Sequence, residues 1–489
     1  MRVAFYVSSG QKGVVLSVVS EILKIPNLDA FVIARNADVC NLVNKLIPDL
    51  SKSNIINLSK LKDEVKTNGD IIGRAMHMED ILEERCGMLS SYDRAIGQGY
   101  LGNADRHPHI IRSLYLHKEK LIQLVEDFEM YEKLVDICNA EIFFGWQRPF
   151  ILSMLLKSKG ISYITYSHSR IGDKFMFVRD EKLQNDCLID SIKDNIDNFS
   201  LDMEVKDIRY KPTETFTIGM SNTTYSIFSA IRDSIYKCVH EFYKVFKGST
   251  KYDSYKFCGW IPVQFRKIFA IKYWNKHGIK VNDISDMRTV IFPLHMEPEI
   301  SLLQVSPEFN NSYEIICWIS KNLPADTALV VKENPWSFGI RSKEYYERLR
   351  KISNVELAHP STNTREWIKR SIFTVAITGT AGFESIYYNK PVLSYGKYQI
   401  INFLPTAYYV DSFFTTKKAV NNILNIKSRK NLYLKSKYIL HRSILSCSFS
   451  LPNMAKYHKS NTLVEDLGKI LCKEFYSQYI LKMKNNESR

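Results

Sequence analysis

The sequence predicts an α/β protein of two successive parallel-sheet domains followed by a helical tail. Short apolar runs alternate with amphipathic stretches over residues 3–166, and the same alternation restarts near residue 288. At 489 residues the chain is also too long for one ordinary core. An apolar fraction of 45% and a charged fraction of 24% are those of a globular chain, and 28 Tyr and 26 Phe are more than disorder would leave.

The first block opens with "VAFYV" (3–7) as a strand, the small-residue loop "SSGQKG" and the amphipathic "VVLSVVSEILK". "AFVIA" (30–34), a helix through "DVCNLVNKLI" and "NIINL" (54–58) continue it. A long helix covers 110–135, "AEIFFGW" (140–146) is a strand, and "PFILSMLLKSKG" is a helix opened by Pro149 and closed by Gly160. "ISYITY" (161–166) is the next strand. Residues 180–215 are polar without clear periodicity and read as an insertion or mobile loop. Helical patterns return at 221–246 and 261–277. The second block runs "TVIFPL" (289–294), helix, "TALVVKE" (327–333), helix, "VELAH", helix, "FTVAIT" (373–378), a helix from Gly382, and "KPVLSYG". Amphipathic stretches at 417–427, 432–446 and 462–483 form the tail. These patterns place a first domain at 1–285, a second at 286–410 and the tail at 411–489, with two Rossmann-like domains facing across a cleft.

Several classes are excluded by what the sequence lacks. Nine scattered cysteines without a CxxC pair are reduced thiols of a cytosolic protein, neither a disulfide framework nor a zinc site. No window has the roughly 18 consecutive apolar residues of a spanning helix, and "MRVAFYV" lacks the form of a signal sequence. A P-loop and a nucleophile elbow are both missing, and no metal-ligand spacing occurs. The net charge is +15, and from Asp411 onward 15 Lys or Arg stand against 5 Asp or Glu. That excess suits an anionic bilayer or an acidic polymer, or a merely solvated helical surface. A nucleic-acid role lacks any recognisable module.

The most informative stretch is "ITGTAGFESIYYNKPVLSYG" (377–396), which reads as strand, small-residue turn, helix and short strand. A helix start has unpartnered N–H groups and partial positive charge, so Thr378, Gly379 and Thr380 form a plausible cradle for a phosphodiester or diphosphate. Glu384 in the first turn would then accept hydrogen bonds from a ribose diol. The same letters also describe an ordinary helix start, with Thr380 as N-cap and Glu384 complementing the dipole.

Together with "FPLHMEPEISLL", "VVKENPWSFGIRSKEYYERL" and "IGQGYLGNADRHPHIIR", this stretch resembles the bacterial capsule polysaccharide biosynthesis family. The resemblance is firm over about 288–405, looser over 90–170 and absent at the ends. It implies a metal-independent glycosyltransferase of the two-domain GT-B fold, related to Kdo transferases that use CMP-Kdo. Donor contacts would come from Lys332, Asn334, Thr378, Gly379, Thr380 and Glu384, joined by His295 and Glu299 of "FPLHMEPE". Glu297 is a further candidate there, and His295 would equally serve as a packed histidine. Asn334 stands where the family carries a nucleotide-contacting histidine, and it has no positive charge to offer a phosphate. His359-Pro360 falls where the family has no such motif.

An inverting transferase needs a base for the acceptor hydroxyl, and Asp105, His107 and His168 are the candidates. Arg94 and Arg106 would hold an acidic sugar or phosphate of the acceptor, unless that stretch is only a salt-bridged loop. Arg170 and Asp173 follow the same strand as His168. No cofactor is expected beyond a nucleotide-sugar substrate. The expected partners are that donor, a polysaccharide or glycolipid acceptor, and an anionic inner-membrane surface met by the basic tail. A sugar-nucleotide epimerase of the same fold and a non-catalytic anionic-polymer binder are the rival readings.

Overall fold

The computed structural model describes residues 1–483 except 9, 66–68, 93–116, 200–207, 209–223, 247–258, 298, 310 and 426–429. The first sheet holds β1 (Arg2–Val7), β2 (Asp29–Ala34), β3 (Ile55–Asn57), β4 (Ile142–Gly145), β5 (Ser162–His168) and β6 (Lys174–Arg179). The second holds β7 (Arg288–Pro293), β8 (Thr327–Lys332), β9 (Val355–Leu357), β10 (Phe373–Ala376), β11 (Val392–Ser394) and β12 (Ala407–Tyr409). A short β13 (Phe449–Ser450) from the tail returns to the first sheet. The strand orders are β13-β6-β5-β4-β1-β2-β3 and β12-β11-β10-β7-β8-β9.

Five neighbouring strands of the first sheet and all six of the second are parallel; β6 and β13 run antiparallel at one edge. The central strands are apolar along both faces, as a sheet covered on two sides requires: Val3, Ala4, Phe5 and Val7 are fully buried, and so are Val290, Ile291 and Phe292. The expected pair of Rossmann-like domains is therefore present. Their edges face each other, since Arg148 Nη2, past the end of β4, donates to Gln304 Oε1 at 3.1 Å. Lys182 Nζ also reaches the Gln304 carbonyl at 3.0 Å. This is the GT-B arrangement.

Three features differ from the sequence reading. Residues 180–215 contain the helix Asp186–Asp197, capped by Asn185, whose Oδ1 accepts from Leu188 N–H at 2.8 Å. Leu188 and Ile192, four apart, bury its inner side. "KFMFVR" is β6, which folds back on β5. The helix Trp260–His277 buries Ala270, Ile271 and Trp274 in the core of the second sheet, so that unit begins before residue 286.

The tail is not a free appendage. Its helix Phe413–Asn425 buries Val420 and Ile423 in the second domain. Its helix Lys430–Cys447 then packs on Asp186–Asp197, and the helix Glu465–Phe475 packs along Lys12–Ile22 of the first domain. One apolar cluster joins all three parts: Ile171 and Leu188 from the first domain, Phe383 and Ile401 from the second, and Ile439 and Leu440 from the tail. Leu440→Ala should therefore cost about 2–5 kcal/mol, the range for a fully buried leucine, measured as a lowered unfolding midpoint.

Candidate functional site

In an open parallel sheet the strand order reverses at one point, and ligands sit there, beyond the C-terminal strand ends. In the second sheet that point lies between β7 and β10. Four adjacent strands end there on polar residues. Thr378 follows β10, His295 follows β7, Lys332 closes β8 and His359 follows β9. Neighbouring strands are about 4.8 Å apart, so the row spans roughly 15 Å, enough for a nucleotide.

The turn after β10 is open at its tip. Thr380 is exposed, has helical backbone angles and makes no side-chain cap. Among the described residues the Gly379 and Thr380 amides donate to no acceptor. The following helix, Ala381–Tyr387, has seven residues, so its dipole is small. The two glycines answer to packing. A Cβ on Gly382 would lie 2.6 Å from Ile401 Cδ1, and one on Gly379 would lie 3.0 Å from His295 Cε1. His295 is buried beneath this turn, its Nε2 3.4 Å from Thr378 N and its Nδ1 3.8 Å from Glu299 Oε2. Thr378 Oγ1 lies 3.4 Å from Ser301 Oγ.

Lys332 supplies the positive charge. Only 7% exposed, it has no hydrogen-bond or ion-pair partner among the described residues. Burial pushes its pKa down to about 8, against the pull of Glu333 and Glu366. Asn334 is used locally: its Oδ1 accepts from Trp336 N–H at 3.0 Å and starts the turn Pro335–Ser337. Glu384 is half-buried and faces Arg365 Nη2 at 3.3 Å. Burial raises its pKa and Arg365 opposes the rise. The ribose contact expected of Glu384 would have to compete with this ion pair.

Beneath the row lies a buried network that the sequence did not reveal. Arg341, 1% exposed, donates from Nη1 to Glu333 Oε1 at 2.5 Å and from Nη2 to the His295 carbonyl at 2.6 Å. Its Nη2 also lies 3.3 Å from Glu297 Oε2. Tyr346 donates its hydroxyl to Glu333 Oε2 at 2.9 Å, and Ser312 N–H donates to Glu297 Oε1 at 3.2 Å. Glu297 is therefore a structural carboxylate. One guanidinium ties the loop after β7 to the loop after β8.

His359 belongs to the row although its His-Pro pair matched no family motif. Its Nδ1 lies 2.7 Å from Ser361 Oγ, and burial, Lys280 and Lys332 lower its pKa. A cavity of about 470 Å³ opens beside Lys280, Ser361, Thr362 and Glu366.

Across the cleft, a cavity of about 550 Å³ is lined by Tyr6, Arg35, Lys62, Arg148 and, from the second domain, Gln304. Burial lowers the Arg148 pKa to about 10, and its Nε and Nη1 have no partner among the described residues. Asp105, His107, Arg94 and Arg106 lie outside the described residues. The His168 ring lies tilted against Phe175 in the β5–β6 hairpin, centroids 4.1 Å apart, and its buried Nδ1 has no partner among the described residues. Burial and Arg170 push it down to about 4, which makes it a poor proton acceptor. The "SSGQKG" loop is covered by the tail: Gln11 N–H donates to the His458 carbonyl at 2.7 Å and Gly13 N–H to that of Ser460 at 3.2 Å. It is an ordinary strand-to-helix turn. No metal-binding cluster occurs among the described residues.

Residues 225–401 match the family described as capsule polysaccharide biosynthesis protein. The matched segment is about a third of the chain. The match includes the whole row and nearly all of 288–405, and it reaches upstream to Tyr225; residues 90–170 lie outside it. No curated protein matches the chain. Among solved structures, the S. aureus MnaA–UDP co-structure is 10% identical, covering 98% of this chain and 96% of that one, with a TM-score of 0.28. The Methanocaldococcus jannaschii UDP-GlcNAc 2-epimerase in complex with UDP-GlcNAc and UDP is 12% identical, at 91% and 99% coverage and a TM-score of 0.27. The Thermosulfurimonas dismutans KpsC β-Kdo 2,7 transferase is 12% identical, at 63% and 80% coverage and a TM-score of 0.29. Overlays this loose decide nothing about chemistry, and the fold rests on the two sheets themselves.

Proposed function

We propose that this chain is a glycosyltransferase of capsule biosynthesis that binds a nucleotide-sugar on its second domain and transfers the sugar to a polysaccharide or glycolipid acceptor held by the first. The observation that carries the reading is the polar row Thr378–His295–Lys332–His359 at the strand-order reversal of a parallel sheet, inside the family segment. Lys332 and the open Gly379 and Thr380 amides are the groups that would stabilise charge developing on the departing phosphate. A CMP-activated sugar such as CMP-Kdo is the donor the family resemblance favours. The half-buried Arg148 with Arg35 gives the first-domain cavity a basic lining suited to an acidic acceptor.

A thermal-shift screen with CMP, UDP, GDP and ADP tests the donor side. One nucleotide should raise the melting temperature, by about 2.7 kcal/mol of added stability at a hundredfold excess over Kd. The shift should shrink in Thr380→Ala and in Glu384→Ala. Equal shifts with all four nucleotides, or a shift untouched by either substitution, would refute the assignment.

A further inference from the structure

The helix Ile227–Phe246 is amphipathic inside out. At 100° per residue, Ala230, Ser234 and Glu241 share one side, and all three are buried in the chain. The opposite side carries Phe228, Ile231, Ile235, Val239 and Phe246, spaced by three or four residues or multiples of them, and all are exposed. Phe228 is 85% exposed and Phe246 92%. The packed side is thus small or polar while the outward side is a continuous apolar stripe, the reverse of a surface helix in water. The helix Trp260–His277 beside it has four Lys or Arg and no acid, with Arg266, Lys272 and Lys276 exposed next to an exposed Phe265. Together the two helices carry seven Lys or Arg against two Asp or Glu.

We infer that this stripe, flanked by the basic helix, docks on an anionic phospholipid surface. Outward apolar residues with cations beside them are the combination that lies in a headgroup layer, apolar side chains inserted and Lys or Arg against lipid phosphates. Charge decides between lipid and the other natural occupant, a second copy of the chain. Two copies joined through this stripe would bring two cationic helix pairs together, whereas an anionic bilayer neutralises them. The tail, from which membrane contact was expected, has its apolar faces committed to the protein core. The docking helix also adjoins the candidate site. A cavity of about 550 Å³ has Asp233 and Lys237 of this helix on one side and Met296, Pro335 and Trp336 of the loops after β7 and β8 on the other. Docking would set those loops at the bilayer surface, where a lipid-linked acceptor would be met. The docking itself does not depend on the glycosyl-transfer reading.

Vesicle co-sedimentation of the full chain tests the inference, with phosphatidylglycerol–phosphatidylcholine vesicles against phosphatidylcholine alone. Binding to the anionic vesicles is expected, weakening with added salt. The triple variant Phe228→Ser, Ile235→Ser, Val239→Ser should bind at least about tenfold more weakly. Its melting temperature without vesicles should match the parent, because the three side chains are exposed. Neutralising the tail (Lys417→Gln, Lys418→Gln, Arg442→Gln) should leave most of the binding intact. The inference is overturned by failure to bind anionic vesicles, by equal binding to neutral ones, or by binding that survives the triple variant. It is overturned equally by loss of binding in the tail variant, or by a dimer in light scattering that dissolves in the triple variant while vesicle binding is missing.

Discussion

Lys332→Met should make the protein more stable and unable to hold its nucleotide. The side chain is buried with its ammonium unpaired among the described residues, and its pKa of about 8 lies below the value near 10.4 of an exposed lysine. A group whose folded pKa is depressed in this way, and which is charged when protonated, costs stability below that pKa. The cost fades as pH rises from about 8 toward about 10.4, where the unfolded chain also gives up its proton. Each pKa unit is worth about 1.4 kcal/mol, so removing the charge while keeping the aliphatic stem should add about 3 kcal/mol near neutral pH. The gain should vanish when the two proteins are compared near pH 11. Loss of function is the other half of the expectation: the nucleotide-induced thermal shift should disappear. In the parent, nucleotide affinity should decline as pH rises through about 8. A destabilised Lys332→Met that still binds nucleotide would show that the ammonium serves the fold and not a ligand. Stability surrendered at one position in this way is the usual mark of a functional group.

Much of the site was legible because it is built from strand ends. A strand announces itself by an apolar run, and the residue after it falls at the sheet edge whatever the tertiary context, so the placement of His295 and Thr378 followed from local patterns, while Lys332 entered only through the family resemblance. Their side-by-side order did not follow, because it depends on which strands pair, and β10 pairs with β7 across 80 residues of chain. His359 was visible by the same rule and was set aside only because it matched no family motif. The misreadings share a cause of the opposite kind. β6, the returning β13 and the packing of the tail helices are specified by partners far away in sequence. The inside-out helix Ile227–Phe246 gives the clearest case. Its periodicity predicts a helix correctly, but periodicity alone does not say which face is turned inward.

Arg341 was invisible in the sequence, and its substitution should have the largest effect of all. Arg341→Leu leaves Glu333 fully buried and Glu297 nearly so, each without the guanidinium that pairs with it. Breaking a buried pair from one side costs about 3–5 kcal/mol, well above the price of an exposed pair such as Lys343–Glu347. The deficit should depend on pH with a definite sign. Burial already raises the Glu333 pKa and Arg341 holds it back, so the variant should carry a Glu333 whose folded pKa lies further above its unfolded one. Stability then falls as pH rises through that interval, and the variant should be closest to the parent in mild acid and furthest from it above neutrality. Adding Glu333→Gln should return part of the loss by removing the stranded charge. The binding consequence separates a positioning role from a merely structural one. Arg341 touches no candidate ligand position, yet it bonds the His295 carbonyl and holds Glu333, the residue after Lys332. Under conditions where the double variant is fully folded, its nucleotide-induced shift should still be reduced, because the loops after β7 and β8 are no longer tied to one guanidinium. A folded double variant with the parent's nucleotide response would mean that the two loops hold their places without it.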